Sequence, residues 1–250
     1  MLEATGLRVA FGGVVALDDV SVRVDAGEVV GIIGPNGAGK TTLLDALCGF
    51  VSLADGAVSF DGRDVTRLLP YQRARLGLIR SFQDARLYPT MTVRDVLLSG
   101  FHTKHSAGIL AEGLRLRAAR VEGERVAAAA EGLLDVVDLR RYLDHRISQL
   151  SLGTTRAVEL AWLAARGPRL LLLDEPASGL QQSEVAVLGG LIQRIRAEAA
   201  VVVIDHDVPF VCGLAERLVA MHLGRVVADG PSAEVLEAPD VVESYIGAAR

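Results

Sequence analysis

Hydrophobic and polar residues follow two patterns along this chain. Residues 20–24 alternate valine with polar residues, which is typical of a half-buried strand. Residues 28–33, 169–174 and 200–205 instead contain nearly continuous apolar runs, and the last two runs end in a carboxylate. Such runs are typical of parallel strands that are covered on both faces. We therefore predict an α/β fold with a largely parallel central sheet.

Other stretches predict what surrounds this sheet. Asp-Gly pairs at 55–56 and 61–62 bracket a short strand and indicate a small antiparallel sheet in the N-terminal part. From about residue 93 to 149 the chain is rich in Ala, Leu, Arg and Glu with helical spacing, which predicts a helical lobe inserted into the core. A hairpin near 218–229 and two short helices, beginning near Ser232 and Asp240, are expected to end the chain. We predict one domain, 1–250, with an inserted helical subdomain at about 88–160.

Composition narrows the class of protein. The chain has 250 residues, half of them hydrophobic, which is enough for a large core. A formal net charge of −5 argues against a nucleic acid partner. Two cysteines are too few for a disulfide framework and favour a reducing compartment. The N-terminus does not look like a secretory leader, and no apolar run approaches the roughly 18 residues of a membrane span. We expect a soluble protein with no membrane insertion of its own.

The clearest candidate chemistry lies between the strand at 28–33 and a predicted helix. Two glycines separated by four residues are followed there by Lys and Thr, the pattern of a phosphate-binding loop. The predicted nucleotide-binding residues are Gly34, Pro35, Asn36, Gly37, Ala38, Gly39, Lys40, Thr41 and Thr42. Lys40 is expected to reach the β- and γ-phosphates, and the Thr41 hydroxyl is expected to bind Mg²⁺. The strand–loop–helix setting disfavours the alternative of a simple connecting turn.

Ionisable residues follow the two later apolar runs. A carboxylate at the carboxyl end of a parallel strand lies where ligands bind in open α/β sheets. Asp174 is therefore predicted to hold Mg²⁺ through water, and Glu175 to polarise the water that attacks the γ-phosphate. His206 follows the next strand, where its imidazole either binds a γ-phosphate oxygen or has a structural role. The predicted catalytic residues are Glu175, His206 and Lys40.

These motifs together resemble a known family over essentially the whole chain. Five stretches occur in the order of an ATP-binding-cassette (ABC) ATPase subunit: 34–42, Ser81-Phe82-Gln83, Leu150-Ser151-Leu152-Gly153, Leu173-Asp174-Glu175-Pro176 and Asp205-His206-Asp207. Residues 11–16, 86–93 and 244–247 further resemble the LivG-like ATPases of branched-chain or hydrophobic amino acid importers. The resemblance implies a P-loop NTPase (RecA-like) core with an N-terminal antiparallel β subdomain and an inserted helical subdomain.

The resemblance also implies roles that the residues alone do not. Phe11 would stack on adenine, and Gln83 would bind Mg²⁺ and link it to a membrane subunit. The segment 83–93 would line a groove that receives a coupling helix of a transmembrane permease subunit. Ser151 and Gly153 would contact the γ-phosphate of ATP bound by a second ABC ATPase subunit. ATP and Mg²⁺ are the implied cofactors, and the implied location is the cytoplasmic face of the membrane, through the permease.

Besides Leu152, which replaces the first Gly of the signature motif where this subfamily often carries a bulky residue, three positions depart from the family pattern. Thr154 stands where the signature motif usually has Gln, Trp162 where the following helix usually has Arg, and Gln181 where a loop usually ends in Asp. All three lie on the half of the chain that serves the opposite subunit. One interpretation is an asymmetric heterodimer in which the pocket completed by this chain is the weaker one. The other is tolerated variation in an ordinary enzyme, so the dimer could be homo- or heteromeric.

The main interpretation is an ATP-hydrolysing subunit that drives an importer of branched-chain or other hydrophobic amino acids, or of a related small solute. One alternative is an ATPase of a lipid or polysaccharide exporter. Another is a soluble ABC ATPase without a membrane partner, but such proteins usually carry two cassettes or a long coiled-coil insertion, which this chain lacks. A third is a nucleotide-sensing subunit that barely hydrolyses ATP, which the altered signature alone would support.

Overall fold

The computed structural model describes residues 1–81, 87–102 and 139–247, which fall into two compact units. The first unit is drawn from Met1–Gln83, Arg169–Ser178 and Ile192–Arg250. The second is drawn from Asp84–Pro168 and Gly179–Leu191. Gln83 and most of the predicted helical lobe lie outside the described residues. Within the described ranges, no helix is long and apolar enough to cross a membrane.

Ten strands and eight α-helices are seen in these ranges. The strands are β1 (Leu2–Phe11), β2 (Val14–Val24), β3 (Val29–Ile33), β4 (Asp55–Phe60), β5 (Arg63–Asp64), β6 (Leu78–Arg80), β7 (Leu170–Asp174), β8 (Ala200–Ile204), β9 (Arg217–His222) and β10 (Arg225–Pro231). The helices are α1 (Lys40–Cys48), α2 (Pro70–Arg75), α3 (Val93–His102), α4 (Leu152–Ala165), α5 (Gln182–Ile195), α6 (Val208–Leu214), α7 (Ser232–Glu237) and α8 (Pro239–Gly247). Short 3₁₀ turns occur at Leu139–Tyr142 and Ile147–Gln149.

Two sheets form the first unit, as the hydrophobic pattern predicts. The antiparallel sheet has the order β2-β1-β4-β5, and the larger sheet has the order β10-β9-β3-β8-β7-β6. In the larger sheet all neighbours are parallel except the terminal hairpin of β9 and β10. Every residue of β3, β7 and β8 is buried, which explains their nearly unbroken apolar sequence. The predicted α/β fold class is confirmed, and the two short helices after the hairpin are present.

One hydrophobic core joins both sheets of the first unit through α1. Alternate residues of β1 and β2 are buried against it, including Leu2, Leu7 and Val20. Leu43 and Leu44 of α1 are fully buried in the same core. Because α1 begins directly after the predicted phosphate loop, this packing fixes the position of the loop.

The second unit is built on the pair α3 and α4. The indole Nε1 of Trp162 donates a hydrogen bond to the Ser99 hydroxyl at 3.1 Å. The Arg166 guanidinium lies over the indole ring, 5.1 Å from its centroid. A Cβ atom at Gly100 would lie 2.9 Å from the Trp162 carbonyl oxygen, so the two helices approach closely there. Trp162, which departs from the family pattern, thus packs the two helices together.

Candidate functional site

Most of the predicted site residues of the first unit that the structure describes lie at one edge of the larger sheet. Strands β6, β7, β8 and β3 are consecutive parallel neighbours, so their carboxyl ends lie at the same edge. Chemically active residues follow each of these strands: Ser81, Asp174 with Glu175, Asp205 with His206, and the loop 34–39 with Lys40. This edge is the usual place for ligands in an open α/β sheet.

Lys40 is held inside the loop that precedes it. Its ammonium group donates hydrogen bonds to the carbonyl oxygens of Gly34 at 2.7 Å and Pro35 at 2.9 Å. Burial lowers the pKa of Lys40 from its ordinary value, while the charges of Glu175 and Asp174 act in the opposite direction. The loop therefore holds a largely buried ammonium group within electrostatic reach of two carboxyl groups.

The backbone of the loop depends on glycine at two positions. Gly34 has φ 150°, and a Cβ atom there would lie 2.2 Å from the Met221 carbonyl oxygen. Gly39 has φ 98°, and a Cβ atom there would lie 2.7 Å from the Ala16 carbonyl oxygen. Gly39 precedes α1, and no side chain caps this helix start. The first N–H groups of α1 are thus available to an anion.

Asp174 is the most buried carboxyl group of the site, with 1% of its surface exposed. Its Oδ2 accepts a hydrogen bond from Arg80 Nη2 at 2.7 Å, and its backbone N–H donates to the Ser81 hydroxyl at 3.0 Å. Its Oδ1 is buried and has no hydrogen-bond partner among the described residues. Burial raises the pKa of Asp174 above its ordinary value, and the hydrogen bond from Arg80 opposes this shift.

Glu175 has an unusual backbone conformation and a histidine partner. Its φ is 49°, in the left-handed region that non-glycine residues rarely adopt, and its N–H donates to the Ile204 carbonyl at 2.7 Å. A hydrogen bond of 2.8 Å joins its Oε1 to His206 Nε2. Strain of this kind is often found at functional sites. Two of the three predicted catalytic side chains, Glu175 and His206, therefore contact each other directly.

Asp205 fixes the turn that presents His206. Its carboxylate accepts hydrogen bonds from the backbone N–H groups of Ala177 at 2.9 Å and Asp207 at 3.1 Å. Asp207 in turn caps α6 by accepting from the Phe210 N–H. Asp205 thereby ties the loop after β8 to the loop after β7. It supports the site without being one of its predicted chemical groups.

The sequence pattern did not indicate Arg80 and Asp45 as residues of the site. Arg80 ends β6 with its side chain almost fully buried, and its guanidinium bridges the carboxylates of Asp174 and Asp45 of α1. The only signal in the sequence is the position of Arg80 directly before the Ser81-Phe82-Gln83 motif. Nothing in the sequence indicates that Asp45 is its second partner.

The donor set of the first unit fits Mg²⁺. Thr41 lies exposed in the first turn of α1, and Asp174 has a buried, unpartnered carboxylate oxygen. Hydroxyl and carboxylate oxygens are ligands that Mg²⁺ prefers, and nucleotide phosphates and water complete such sites. In the described ranges, no group of three or more His, Cys, Asp or Glu residues forms an all-protein metal site. The third predicted ligand, Gln83, lies outside those ranges.

Phe11, the predicted adenine contact, lies at the end of the N-terminal strand β1. It ends β1 with 53% of its surface exposed, a high value for a phenylalanine.

The predicted signature residues lie in the second unit. Ser151 caps α4, where its hydroxyl accepts the Thr154 N–H at 3.2 Å. The same hydroxyl lies 3.0 Å from the Thr154 hydroxyl and 3.4 Å from Glu184 Oε1. Gly153 is buried, and a Cβ atom there would lie 2.3 Å from the Glu184 carboxyl group. The exposed hydroxyl of Ser151 thus stands at the start of a 14-residue helix, where an anion is favoured.

Comparison with known proteins identifies the family of the chain. The model of the ABC transporter family matches residues 17–178. The high-affinity branched-chain amino acid transport ATP-binding protein BraF of Pseudomonas aeruginosa is 35% identical, and the match covers all of this chain and 98% of BraF. The lipopolysaccharide export system ATP-binding protein LptB of Acidithiobacillus ferridurans is 34% identical over 99% of this chain and 97% of its own.

A solved structure has the same fold. The crystal structure of the ADP conformation of an ATP-binding cassette of an ABC transporter matches with a TM-score of 0.84 and 28% sequence identity. The match covers 99% of this chain and 98% of that one.

Proposed function

Since the chain belongs to the ABC transporter family and is an ABC-type ATPase, we propose that it uses ATP with Mg²⁺ to drive a membrane importer of branched-chain or other hydrophobic amino acids, or of a related small solute. One observation carries the assignment of the site. A buried lysine in a phosphate loop lies within electrostatic reach of a buried aspartate and of a glutamate bonded to histidine. Nucleotide hydrolysis uses a lysine that binds the phosphates, an aspartate that holds Mg²⁺ and a residue that orients the attacking water.

The loop and Lys40 would bind the phosphates. The Gly34 and Pro35 carbonyls hold the ammonium group of Lys40 in place, and its charge favours the anionic β- and γ-phosphates. Residues 34–42 would surround these phosphates with backbone N–H groups, and exposed Phe11 would stack on the adenine. Thr41, Asp174 and Gln83 would hold Mg²⁺, which supplies charge neutralisation on the phosphate oxygens.

Glu175 would align and polarise the attacking water. Its carboxylate is held by the hydrogen bond to His206, and its main chain is held by the bond from its N–H to the Ile204 carbonyl. This anchoring restricts the orientation of the carboxylate, which a general base requires. The imidazole of His206 would hold Glu175 in the free site and contact the γ-phosphate once ATP is bound.

The assembly would contain further subunits. We assign the second unit as part of an inserted helical subdomain, at about 88–160, whose Ser151 and Gly153 contact ATP held by a second cassette. The segment 83–93 would receive the coupling helix of a transmembrane permease subunit, which would place the chain at the cytoplasmic face of the membrane. Export of a lipid or polysaccharide is the second candidate function, because the lipopolysaccharide export relative LptB is nearly as similar to this chain as BraF is, with 34% against 35% sequence identity.

Phosphate release by the purified chain, with Mg²⁺ or with EDTA, tests the enzymatic part. We expect Mg²⁺-dependent release that Glu175→Gln removes, and an ATP-dependent dimer of that variant in size-exclusion chromatography. Tight ATP binding without turnover or dimer would indicate that a different partner subunit is required. Release that Glu175→Gln leaves unchanged would contradict the assignment of Glu175.

A further inference from the structure

Arg80 joins two acidic residues that come from different elements of the first unit. Its Nη2 donates to Asp174 Oδ2 at 2.7 Å, and its Nη1 donates to Asp45 Oδ1. The Arg80 side chain is 7% exposed and that of Asp174 1%, while that of Asp45 is 29% exposed. This three-residue cluster, Asp45–Arg80–Asp174, links α1, β6 and β7.

The geometry of the cluster fixes the Asp174 carboxylate. A guanidinium is planar, so anchoring one terminal nitrogen on Asp45 limits where the other nitrogen can lie. That second nitrogen donates to Oδ2, and Oδ1 stays buried without a hydrogen-bond partner in the described ranges. The Asp174 backbone is also held, because its N–H donates to the hydroxyl of Ser81, the residue after Arg80. One end of β6 thus holds both the main chain and the side chain of Asp174.

We infer that Arg80 is a positioning residue for Asp174: by holding Oδ2, it keeps Oδ1 oriented for the water shell of Mg²⁺. This inference rests on the proposed use of Mg²⁺ at the site. Groups that orient metal ligands typically change metal affinity about 10–100-fold when removed. Asp45 has the further role of anchoring Arg80.

A variant that keeps the formal charge of the cluster shows whether Arg80 acts by orienting Asp174 or only by balancing its charge. The cluster carries two carboxylates and one guanidinium, a formal charge of −1. In the double variant Arg80→Met and Asp45→Asn, Asp174 is the only charged residue of the cluster, so the formal charge stays at −1. It removes the hydrogen bond to Oδ2 without leaving a second buried carboxylate unpaired. Asp45→Asn alone serves as the control, because the asparagine carbonyl oxygen can still accept the hydrogen bond from Arg80 Nη1, so that Arg80 stays anchored and keeps its bond to Asp174.

The measurement is the binding of a fluorescent ATP analogue to the full chain, in EDTA and then across a Mg²⁺ titration. For the wild type we expect Mg²⁺ to tighten binding, and a wild type without this effect would refute the use of Mg²⁺ itself. For the double variant we expect unchanged affinity in EDTA and a Mg²⁺ midpoint at least about tenfold higher. The Asp45→Asn control should stay within about threefold of the wild type.

Two results would overturn the role of Arg80 while leaving the use of Mg²⁺ intact. One is a Mg²⁺ midpoint of the double variant equal to that of the wild type. The other is an equal loss of affinity with and without Mg²⁺, because Arg80 would then support the whole nucleotide site. If urea unfolding shows that the double variant is not folded, the Mg²⁺ titration of Arg80→Lys tests the role of Arg80 instead. A lysine keeps the charge but cannot bridge both carboxylates, so we expect its Mg²⁺ midpoint to rise as well.

Discussion

Replacing Gly34 with alanine tests how the phosphate loop is built. A Cβ atom at this position would lie 2.2 Å from the backbone carbonyl oxygen of Met221 and 3.2 Å from the Ala38 Cβ. The φ of 150° is also one that alanine rarely adopts. Because the close contact is with main-chain atoms of β9, a side-chain rotation cannot relieve it, and the loop or the strand must move.

The size of the effect follows from two separate costs. A non-glycine residue at positive φ costs about 1–2 kcal/mol. Forcing extra atoms into a packed site costs about 1–3 kcal/mol more. Gly37 offers a matched control, since its φ is 81° but a Cβ atom there meets nothing within 4 Å. We therefore expect Gly37→Ala to lose about 1–2 kcal/mol of folding free energy, and Gly34→Ala to lose about 1–3 kcal/mol more than the control.

Urea unfolding without nucleotide, monitored by far-UV circular dichroism, measures the loss of folding free energy in each variant. Binding of an ATP analogue should also weaken in Gly34→Ala, because the Gly34 carbonyl holds the Lys40 ammonium group. Equal losses of folding free energy in the two variants would refute the close approach of Gly34 and β9. A Gly34→Ala variant as stable as the wild type would refute the loop conformation as a whole.

Further predictions concern the two units separately. Glu175→Gln should lower turnover about 10²–10⁴-fold with ATP affinity retained, because glutamine still reaches His206; phosphate release and analogue binding check both. Trp162→Phe should cost about 1 kcal/mol by removing the hydrogen bond to Ser99, and a double-mutant cycle with Ser99→Ala in urea unfolding should show that the two losses do not add. Burial raises the pKa of Glu159, while the hydrogen bond and charge of Arg156 act in the opposite direction. The folded protein therefore loses stability as the pH rises above the ordinary pKa of a glutamate, because the buried carboxyl group must then ionise. Urea unfolding at pH 5 and pH 7.5 should therefore show the stability of Glu159→Gln increasing relative to the wild type at the higher pH; a shift the other way would contradict the buried position. In a complex with a different cassette, replacing Glu175 should cost more turnover than replacing the partner's matching glutamate if the asymmetric interpretation holds, and equal losses would favour tolerated variation.

The sequence predicted those parts of the fold that depend on local patterns. The apolar runs of β3, β7 and β8 identify central strands because both faces of each strand are buried. Since ligand-binding residues follow such strands, Asp174, Glu175 and His206 could be placed at one edge before any coordinates were known. The phosphate loop was predictable because its glycines and Lys40 all lie within the short segment 34–40.

The sequence did not predict contacts that depend on how distant segments meet. Arg80 lies 35 residues from Asp45 and 94 residues from Asp174, and no periodicity relates these positions. The left-handed conformation of Glu175 likewise arises from its backbone bond to Ile204 on the neighbouring strand. The departures at Thr154 and Gln181 were visible as differences from a family, but only the structure shows that Thr154 contacts the hydroxyl of Ser151.

Uptake of radiolabelled leucine tests the central claim most directly, namely that ATP hydrolysis at Glu175 drives import. Cells that carry the wild-type chain or Glu175→Gln as their only copy would be compared under the same conditions, with the amount of chain in the membrane fraction as control. The account predicts that uptake falls to background in the variant while membrane association is retained. Normal uptake in the variant, above all with loss of lipid or polysaccharide export, would contradict the importer assignment.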